Sequence, residues 1–253
     1  MDFPPIFIQS GKYAGQGIID YQMKIYEKEL KEYEHKIVPV SPQRIHHMVL
    51  NTTDDLYCIG NYLDVPGLTR NKEYLASDTI YTVNPNRLII QKKNIKKILN
   101  GQTKLVSLEE LVKKQKFKLG YMFTRPYGGT VDKILTKNEK SPFLNGLKHA
   151  GQTAVLKMLD AGRIDMALGY MMEANYFYKN DLLKNELVTI PLKEDQSYYE
   201  YFVACNKHPE AKAFINKINK VIKKYKNDPT FYQGFTNWYS TEGMVDFKKR
   251  NGV

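Results

Sequence analysis

The sequence predicts an α/β protein built as two lobes. Short apolar runs, typical of buried strands, alternate with longer amphipathic segments, typical of helices. This alternation favours mainly parallel sheets flanked by helices, because strands joined through a helix form right-handed crossovers. The series starts again after Gln91, and the closing segment has helices but no strand series of its own. We therefore expect one lobe from residues 1–91 and 196–253 and a second from residues 92–195.

The first lobe is predicted to begin with two helices. Apolar residues within 18–33 recur four and three positions apart, which places them on one helix face. Pro42 fits the first position of a second helix that ends near Leu50. Residues 36–40, between these helices, are strand-like, and residues 56–59 form a run typical of a buried strand.

Later elements continue the alternation. Ser107, followed three residues later by Glu110, is typical of a capping box that opens a helix. Further strands are predicted at 87–91, 117–123, 163–168, 187–190 and 198–205. Further helices are predicted at 92–101, 108–116, from 131 onward, 153–161, 209–226, 230–239 and 241–249.

The net charge is positive but dispersed. Lys and Arg number 38 against 27 Asp and Glu, for a formal net charge of +11. A basic balance can indicate nucleic acid or a membrane surface as the partner. The lysines, however, are spread along the chain and mix with Glu on predicted helices, as in residues 27–34. This distribution is typical of a solvated surface, so we expect no nucleic-acid partner.

Several classes of site are not expected. No apolar run approaches the roughly 20 residues that span a bilayer, and the first residues show no signal-peptide pattern. Cys58 and Cys205 are the only cysteines and lack metal-ligand spacing. His46 and His47 are adjacent, so on a helix their side chains point in different directions. We therefore expect no metal and no cofactor.

Two predicted loops carry an arginine at the end of a strand. Arg70 follows the strand at 56–59, and Arg125 lies in the loop after the strand at 117–123. Open α/β sheets bind ligands at the carboxyl ends of their strands, and a guanidinium matches a carboxylate in two places. Both arginines are therefore candidates for binding an anion. The alternatives are a solvated loop arginine at position 70 and a lobe-closing ion pair at position 125.

Several stretches of the sequence resemble one family. Residues 2–7 and 15–20 resemble its first ligand loop and first helix. Residues 70–81 resemble its Thr-x-x-Arg…Phe-Ser-x-x-Tyr pattern, and residues 156–165 resemble its Leu…Gly-Arg-x-Asp signature. The family is that of the bacterial extracellular solute-binding proteins, family 3, which are type II periplasmic binding proteins of the amino-acid-binding sort. The resemblance spans nearly the whole chain.

The resemblance implies two α/β lobes, joined by two crossover strands, that close on a small ligand in the cleft between them. Such a protein captures a solute and presents it to the permease of an ABC transporter or to a sensor protein. It would act in the periplasm as a monomer without enzymatic activity, although the sequence itself shows no export signal.

The resemblance also implies the site residues. The aromatic side chain of Phe3 would pack on the ligand, and Arg70 would bind a ligand carboxylate. Tyr62 lies in the loop that normally donates hydroxyls, and the loop at 124–128 would supply contacts from the second lobe. The implied ligand-binding set is Phe3, Tyr62, Arg70, Thr124, Arg125, Tyr127, Tyr170 and Glu173.

Tyr170 departs from the family pattern. It stands five residues after Asp165, where amino-acid binders carry an acid that holds the ligand's ammonium group. A neutral ring cannot supply that charge, which disfavours a standard α-amino acid as the ligand. Arg70 and Arg125 together would suit an anionic ligand, such as a dicarboxylate or another organic acid.

The amino end departs from the pattern as well. Family members enter the loop of Phe3 from a central strand, and almost nothing precedes Asp2. That strand is either lost or trimmed, or another segment fills its place. In the implied topology the strands that carry Cys58 and Cys205 are neighbours in the first lobe. A disulfide there fits an oxidising periplasm, and two buried thiols are the alternative.

Two other functions stay open. Glu173 resembles the general acid of cyclohexadienyl or arogenate dehydratases built on the same fold, in which a carboxylic acid donates a proton to a departing hydroxyl. A helix cap or an ion pair is the simpler role for Glu173. The other alternative is a ligand-free sensor or interaction module whose cleft is plugged by side chains.

Overall fold

The computed structural model describes residues 3–38, 40, 42–64, 74–101, 104–123, 125–148 and 151–253. The predictions made at Arg70 and Thr124 lie outside these residues.

Helices and strands alternate along the described residues. In chain order the helices are α1 (Ile18–Glu29), α2 (Pro42–Asn51), α3 (Ile95–Leu99), α4 (Leu108–Lys113), α5 (Gly129–Lys137), α6 (Gln152–Asp160), α7 (Met171–Lys179), α8 (Ala211–Tyr225), α9 (Gln233–Trp238) and α10 (Thr241–Asn251). The strands are β1 (Cys58–Asp64), β2 (Leu75–Ala76), β3 (Tyr81–Val83), β4 (Arg87–Gln91), β5 (Leu119–Met122), β6 (Leu144–Leu147), β7 (Met166–Gly169), β8 (Leu187–Ile190) and β9 (Tyr199–Cys205).

Two of the differences between predicted and observed elements lie at residues 18–40. α1 ends at Glu29, earlier than the predicted end near residue 33. Residues 36–38 and 40 have no regular secondary structure, so the strand predicted at 36–40 is wrong. The physical reason is Pro39, which has no N–H to donate to a neighbouring strand.

The chain divides into two compact units. Among the described residues, unit 1 contains 3–64, 74–83 and Tyr199–Val253, and unit 2 contains Asn84–Tyr198. The sequence predicted the first boundary after residue 91. The observed boundary follows Val83, because β4 pairs with β7 and β8 of unit 2.

β9 is the central strand of unit 1. β1 pairs with one edge of β9, β2 and β3 pair with the other, and all three run antiparallel to it. The mainly parallel sheet that was predicted here is therefore wrong in strand direction, because β9 runs against each neighbour. The described residues before Cys58 contribute helices and no strand to this sheet. Cys58 lies opposite Cys205 on the β1–β9 ladder, and a disulfide joins them.

Aromatic side chains form the core of unit 1. The ring of Tyr81 contacts Phe231, Phe235 and Phe247, with ring centroids 5.1 to 5.9 Å apart. Its buried hydroxyl donates a hydrogen bond of 2.9 Å to the carbonyl oxygen of Lys226. The turn that carries Phe231 and the helices α9 and α10, which carry Phe235 and Phe247, are thereby joined to the sheet.

Unit 2 is a five-stranded mixed sheet in the order β6-β5-β7-β4-β8. β5 runs parallel to β6 and β7, whereas β4 runs antiparallel to β7 and β8. The carboxyl ends of β5 and β7 and the amino end of β4 therefore lie at one edge of the sheet. No helix among the described residues is long and apolar enough to cross a bilayer.

Candidate functional site

A polar cluster lies at this edge of the unit 2 sheet. Arg125 follows β5, Tyr170 follows β7, and Asn86 precedes β4. Gln152 starts α6, and Glu173 lies in the first turn of α7. Strand ends at one edge of a sheet bring together side chains that are distant in sequence, which is where open α/β sheets carry their sites.

Arg125 and Glu173 form a buried ion pair. The Nη1 atom of Arg125 donates to both carboxylate oxygens of Glu173, at 2.8 and 3.1 Å. The exposed fractions of the two side chains are only 7% and 1%. The N–H of Tyr170 donates to the Oε2 atom of Glu173 at 2.7 Å. Glu173 thus caps α7 and balances the charge of Arg125 at the same time.

Two aromatic rings flank the guanidinium. The central carbon of the Arg125 guanidinium lies 4.3 Å from the ring centroid of Tyr170 and 5.5 Å from that of Tyr127. Both tyrosines are buried. A cation over an aromatic face is stabilised by the negative charge of the ring face, and more strongly where water is excluded.

Gln152 and Gly169 complete the cluster. The side-chain amide of Gln152 donates to the carbonyl oxygen of Leu168 at 2.8 Å, and its Oε1 atom lies 3.5 Å from Nη1 of Arg125. A Cβ atom at Gly169 would lie 2.3 Å from Nε2 of Gln152 and 2.9 Å from Oε2 of Glu173. Glycine is therefore the residue that lets β7 pass this closely beneath the ion pair.

Burial and charge shift the ionisation of this cluster. Burial lowers the pKa of Arg125, but the charge of Glu173 and the two phenols outweigh it, so the pKa is raised. Arg125 is therefore a permanent cation. Burial raises the pKa of Tyr170 to about 12, against the opposing charge of Arg125. Burial also raises the pKa of Tyr127. Both tyrosines are neutral at physiological pH.

Arg125 lies in an ion pair that differs from both expectations. We expected Arg125 to add a second cation for an anionic ligand, with a lobe-closing ion pair as the alternative. The ion pair that is present lies within unit 2, to which both partners belong. The charge of Arg125 is therefore already balanced by Glu173. Glu173 likewise accepts hydrogen bonds at both oxygens, rather than standing as a proton donor.

Of the other predicted site residues, Phe3 and Tyr62 belong to unit 1, whereas Tyr127 belongs to the polar cluster of unit 2. Phe3 forms a short antiparallel bridge with Phe7 in unit 1. Tyr62, on β1, packs its ring 5.2 Å from Tyr74 and 5.5 Å from Phe202. Tyr127 is fully buried in unit 2, where its hydroxyl accepts from the N–H of Met122 at 2.8 Å. Ligand contacts by these residues stay predictions.

Sequence reasoning missed Asn86 and Gln152. Both are buried polar side chains, but a single amide residue near a strand or helix start carries no sequence signal of its own. No group of three or more His, Cys, Asp and Glu side chains in the described part of the chain is arranged to hold a metal ion.

No family model and no curated protein matches this sequence. Solved structures do match it over most of its length. An ancestral arginine-binding protein bound to arginine is 17% identical, with a TM-score of 0.63 and 94% of each chain covered. The ancestral amino acid-binding protein AncCDT-1, a precursor of cyclohexadienyl dehydratase, is 17% identical, with a TM-score of 0.62 and coverage of 94% of this chain and 92% of the other.

A third match comes from Streptococcus pneumoniae. The amino acid ABC transporter substrate-binding protein AbpA, bound to L-arginine, is 19% identical, with a TM-score of 0.61 and coverage of 99% of this chain and 92% of the other. The chain therefore has the α/β fold of the substrate-binding proteins of amino-acid ABC transporters. This confirms the predicted α/β class with sheets flanked by helices.

Proposed function

We propose that this protein is a non-enzymatic solute receptor, which captures a small molecule for an ABC transporter or a sensor protein. The observation that carries the proposal is the fold, which matches two ancestral amino-acid-binding proteins and one ABC transporter substrate-binding protein over 94% of the chain or more. We propose that it acts as a monomer with a membrane permease or sensor as its partner.

The proposed ligand is a small organic acid. Arg70 would bind its carboxylate through a bidentate contact, as the sequence predicts. Unit 2 would add little net charge, because Glu173 balances Arg125. Tyr170 provides no anionic partner for an ammonium group. A carboxylate without an adjacent amine therefore fits the described residues better than a standard amino acid does.

An extracytoplasmic location is part of the proposal. The disulfide between Cys58 and Cys205 supports it, since disulfides persist in oxidising compartments such as the periplasm. We propose the periplasm or the cell exterior as the site of action.

The test is a thermal-shift panel of organic acids and amino acids on the native protein. A ligand at a hundred times its dissociation constant stabilises the folded state by about 2.7 kcal/mol. We expect a mono- or dicarboxylic acid to raise the melting temperature, and Arg70→Ala to abolish the rise. Arg163→Ala, which removes an exposed arginine of unit 2, is the control and should keep it. No stabilisation by any compound would contradict the receptor function.

A ligand-free sensor or interaction module is the second candidate. The observation that favours it is the buried Arg125 side chain, which fills the polar cluster of unit 2. A panel without any binder, together with an intact native fold, would favour this candidate.

A dehydratase is less well supported. A general acid must carry a proton that it can give away, whereas both oxygens of Glu173 accept hydrogen bonds. We expect no turnover of prephenate or arogenate. Formation of the aromatic product, lost in Glu173→Gln, would restore the enzyme hypothesis.

A further inference from the structure

The groups around the Arg125 side chain are those that bind a small organic cation. Glu173 supplies a carboxylate at 2.8 Å, and Tyr170 and Tyr127 supply ring faces at 4.3 and 5.5 Å. Carboxylates and aromatic faces are the groups through which proteins bind guanidinium and ammonium ligands. We propose that unit 2 contains a cation cage whose occupant is the chain's own Arg125, so that the cationic group of a solute is excluded from it.

The walls of the cage are held by contacts that do not involve Arg125. Glu173 is fixed by the N–H of Tyr170, and the ring of Tyr127 by the hydrogen bond from the N–H of Met122 to its hydroxyl. Gln152 is fixed by its bond to Leu168. These contacts keep the cage formed when the guanidinium is removed. A preformed site binds its ligand with little loss of conformational entropy.

The cage adjoins open space within unit 2. Arg125 borders a cavity of about 440 Å³. Phe123 and Pro126, from the same loop, also line it. We expect a guanidinium-sized cation to reach the cage from this cavity in a variant that lacks the Arg125 side chain. Nη1 of Arg125 makes both contacts with Glu173, whereas the buried Nη2 atom has no hydrogen-bond partner among the described residues.

The cage itself is a property of unit 2, whereas its effect on solute choice rests on the proposed receptor function. In a filled cage the carboxylate of Glu173 is already paired with Arg125 and is not offered to the ammonium group of an amino acid. Arg125 thereby becomes a residue that determines specificity, because it replaces the cation that an amino-acid ligand would bring.

The test is chemical rescue of Arg125→Ala by a small cation. The rescue is monitored by thermal shift and by isothermal titration calorimetry. The probes are guanidinium chloride and methylguanidinium chloride at low millimolar concentration, with urea and sodium chloride as matched controls. We expect a saturable rise in melting temperature of about 3–6 °C at ten times the dissociation constant. The native protein and Arg163→Ala, which lacks an exposed arginine of the same unit, should not respond.

The double variant Arg125→Ala/Glu173→Gln tests whether the rescue comes from binding in the cage or from a general effect of guanidinium on the solvent. We expect the guanidinium affinity to fall at least tenfold when the carboxylate is neutralised. Equal rescue in both variants, or no saturable rise in Arg125→Ala, overturns the cage. If Arg125→Ala does not fold alone, the readout is the yield of soluble protein refolded with methylguanidinium or with urea, and equal yields overturn the cage as well.

The two proposals fail separately in these experiments. Rescue of Arg125→Ala, combined with a native protein that binds no carboxylic acid, overturns the receptor function and leaves the cage in place. Carboxylic acid binding without rescue overturns the cage alone.

Discussion

Replacing Glu173 by Gln should destabilise the protein by about 3–5 kcal/mol, the usual cost of removing one partner from a buried ion pair. The exposed fractions of Arg125 and Glu173, 7% and 1%, mean that the guanidinium left behind cannot be rehydrated in place. Gln keeps an oxygen for the N–H of Tyr170, so the start of α7 retains its cap. The loss of stability in Glu173→Gln therefore measures the cost of leaving the buried charge of Arg125 unpaired.

The assay is urea unfolding followed by two signals. The chain has one tryptophan, Trp238, which lies in α9 of unit 1. Its emission reports on unit 1, whereas circular dichroism reports on both units. A loss that originates in unit 2 should lower the midpoint seen by circular dichroism at least as much as the midpoint seen by emission.

Two variants make this prediction refutable. Glu139→Gln neutralises an exposed carboxylate of unit 2 and should change stability by no more than about 0.5 kcal/mol. Arg125→Met/Glu173→Gln removes both charges and should recover most of the loss, because an apolar pair of similar volume is often as stable. A Glu173→Gln cost below about 1 kcal/mol, or a double variant as unstable as the single one, would refute the reasoning.

Three further predictions concern other contacts. The free energy of unfolding should fall by about 2–5 kcal/mol in Cys58→Ser/Cys205→Ser, because the disulfide closes a loop across 147 positions. Dithiothreitol should lower the urea midpoint of the native protein but not that of this variant. Gly169→Ala should cost about 1–3 kcal/mol through the close approach beneath the ion pair, whereas Gly151→Ala, with nothing within 4 Å, should be nearly neutral in the same urea titration. Burial raises the pKa of Glu194, but the donors at the start of α4 lower it more, so it is depressed. Its stabilisation is present above the unfolded pKa of about 4.3 and is lost as the pH falls through the folded value. The cost of Glu194→Gln, about 0.5–1 kcal/mol at pH 7, should therefore shrink below about pH 4, and a constant cost would contradict this sign.

The start of α4 shows where local prediction ends. The sequence predicted that Ser107 caps this helix, and its hydroxyl does accept the N–H of Glu110. The capping-box pattern also predicted that the carboxylate of Glu110 accepts the backbone N–H of Ser107 in return. The carboxylate that binds the helix start is instead that of Glu194, which lies 87 positions from Ser107 along the chain. Capping by Ser107 is encoded within one helical turn. The second capping group, Glu194, depends on the tertiary fold, which brings a distant part of the chain to the start of α4.

Arg125 shows the same division in the candidate site. Its position at the end of a strand, in a loop that leads into a helix, follows from the apolar run at 117–123 and was predicted. An ion pair was an alternative for each residue separately, but the pairing of Arg125 with Glu173, 48 positions away, was not predicted. The sequence could place both side chains at strand ends but could not tell that they neutralise each other.

The sequence by itself determined the alternation of helices and strands and the division into two series, because periodicity and turn residues act within a few positions of the chain. Only the tertiary structure decided the direction of the strands beside β9, whether Cys58 and Cys205 are bonded, and which group balances the charge of Arg125. These depend on distances and burial between residues far apart in sequence, and the energy of a charge is set by the groups that surround it after folding.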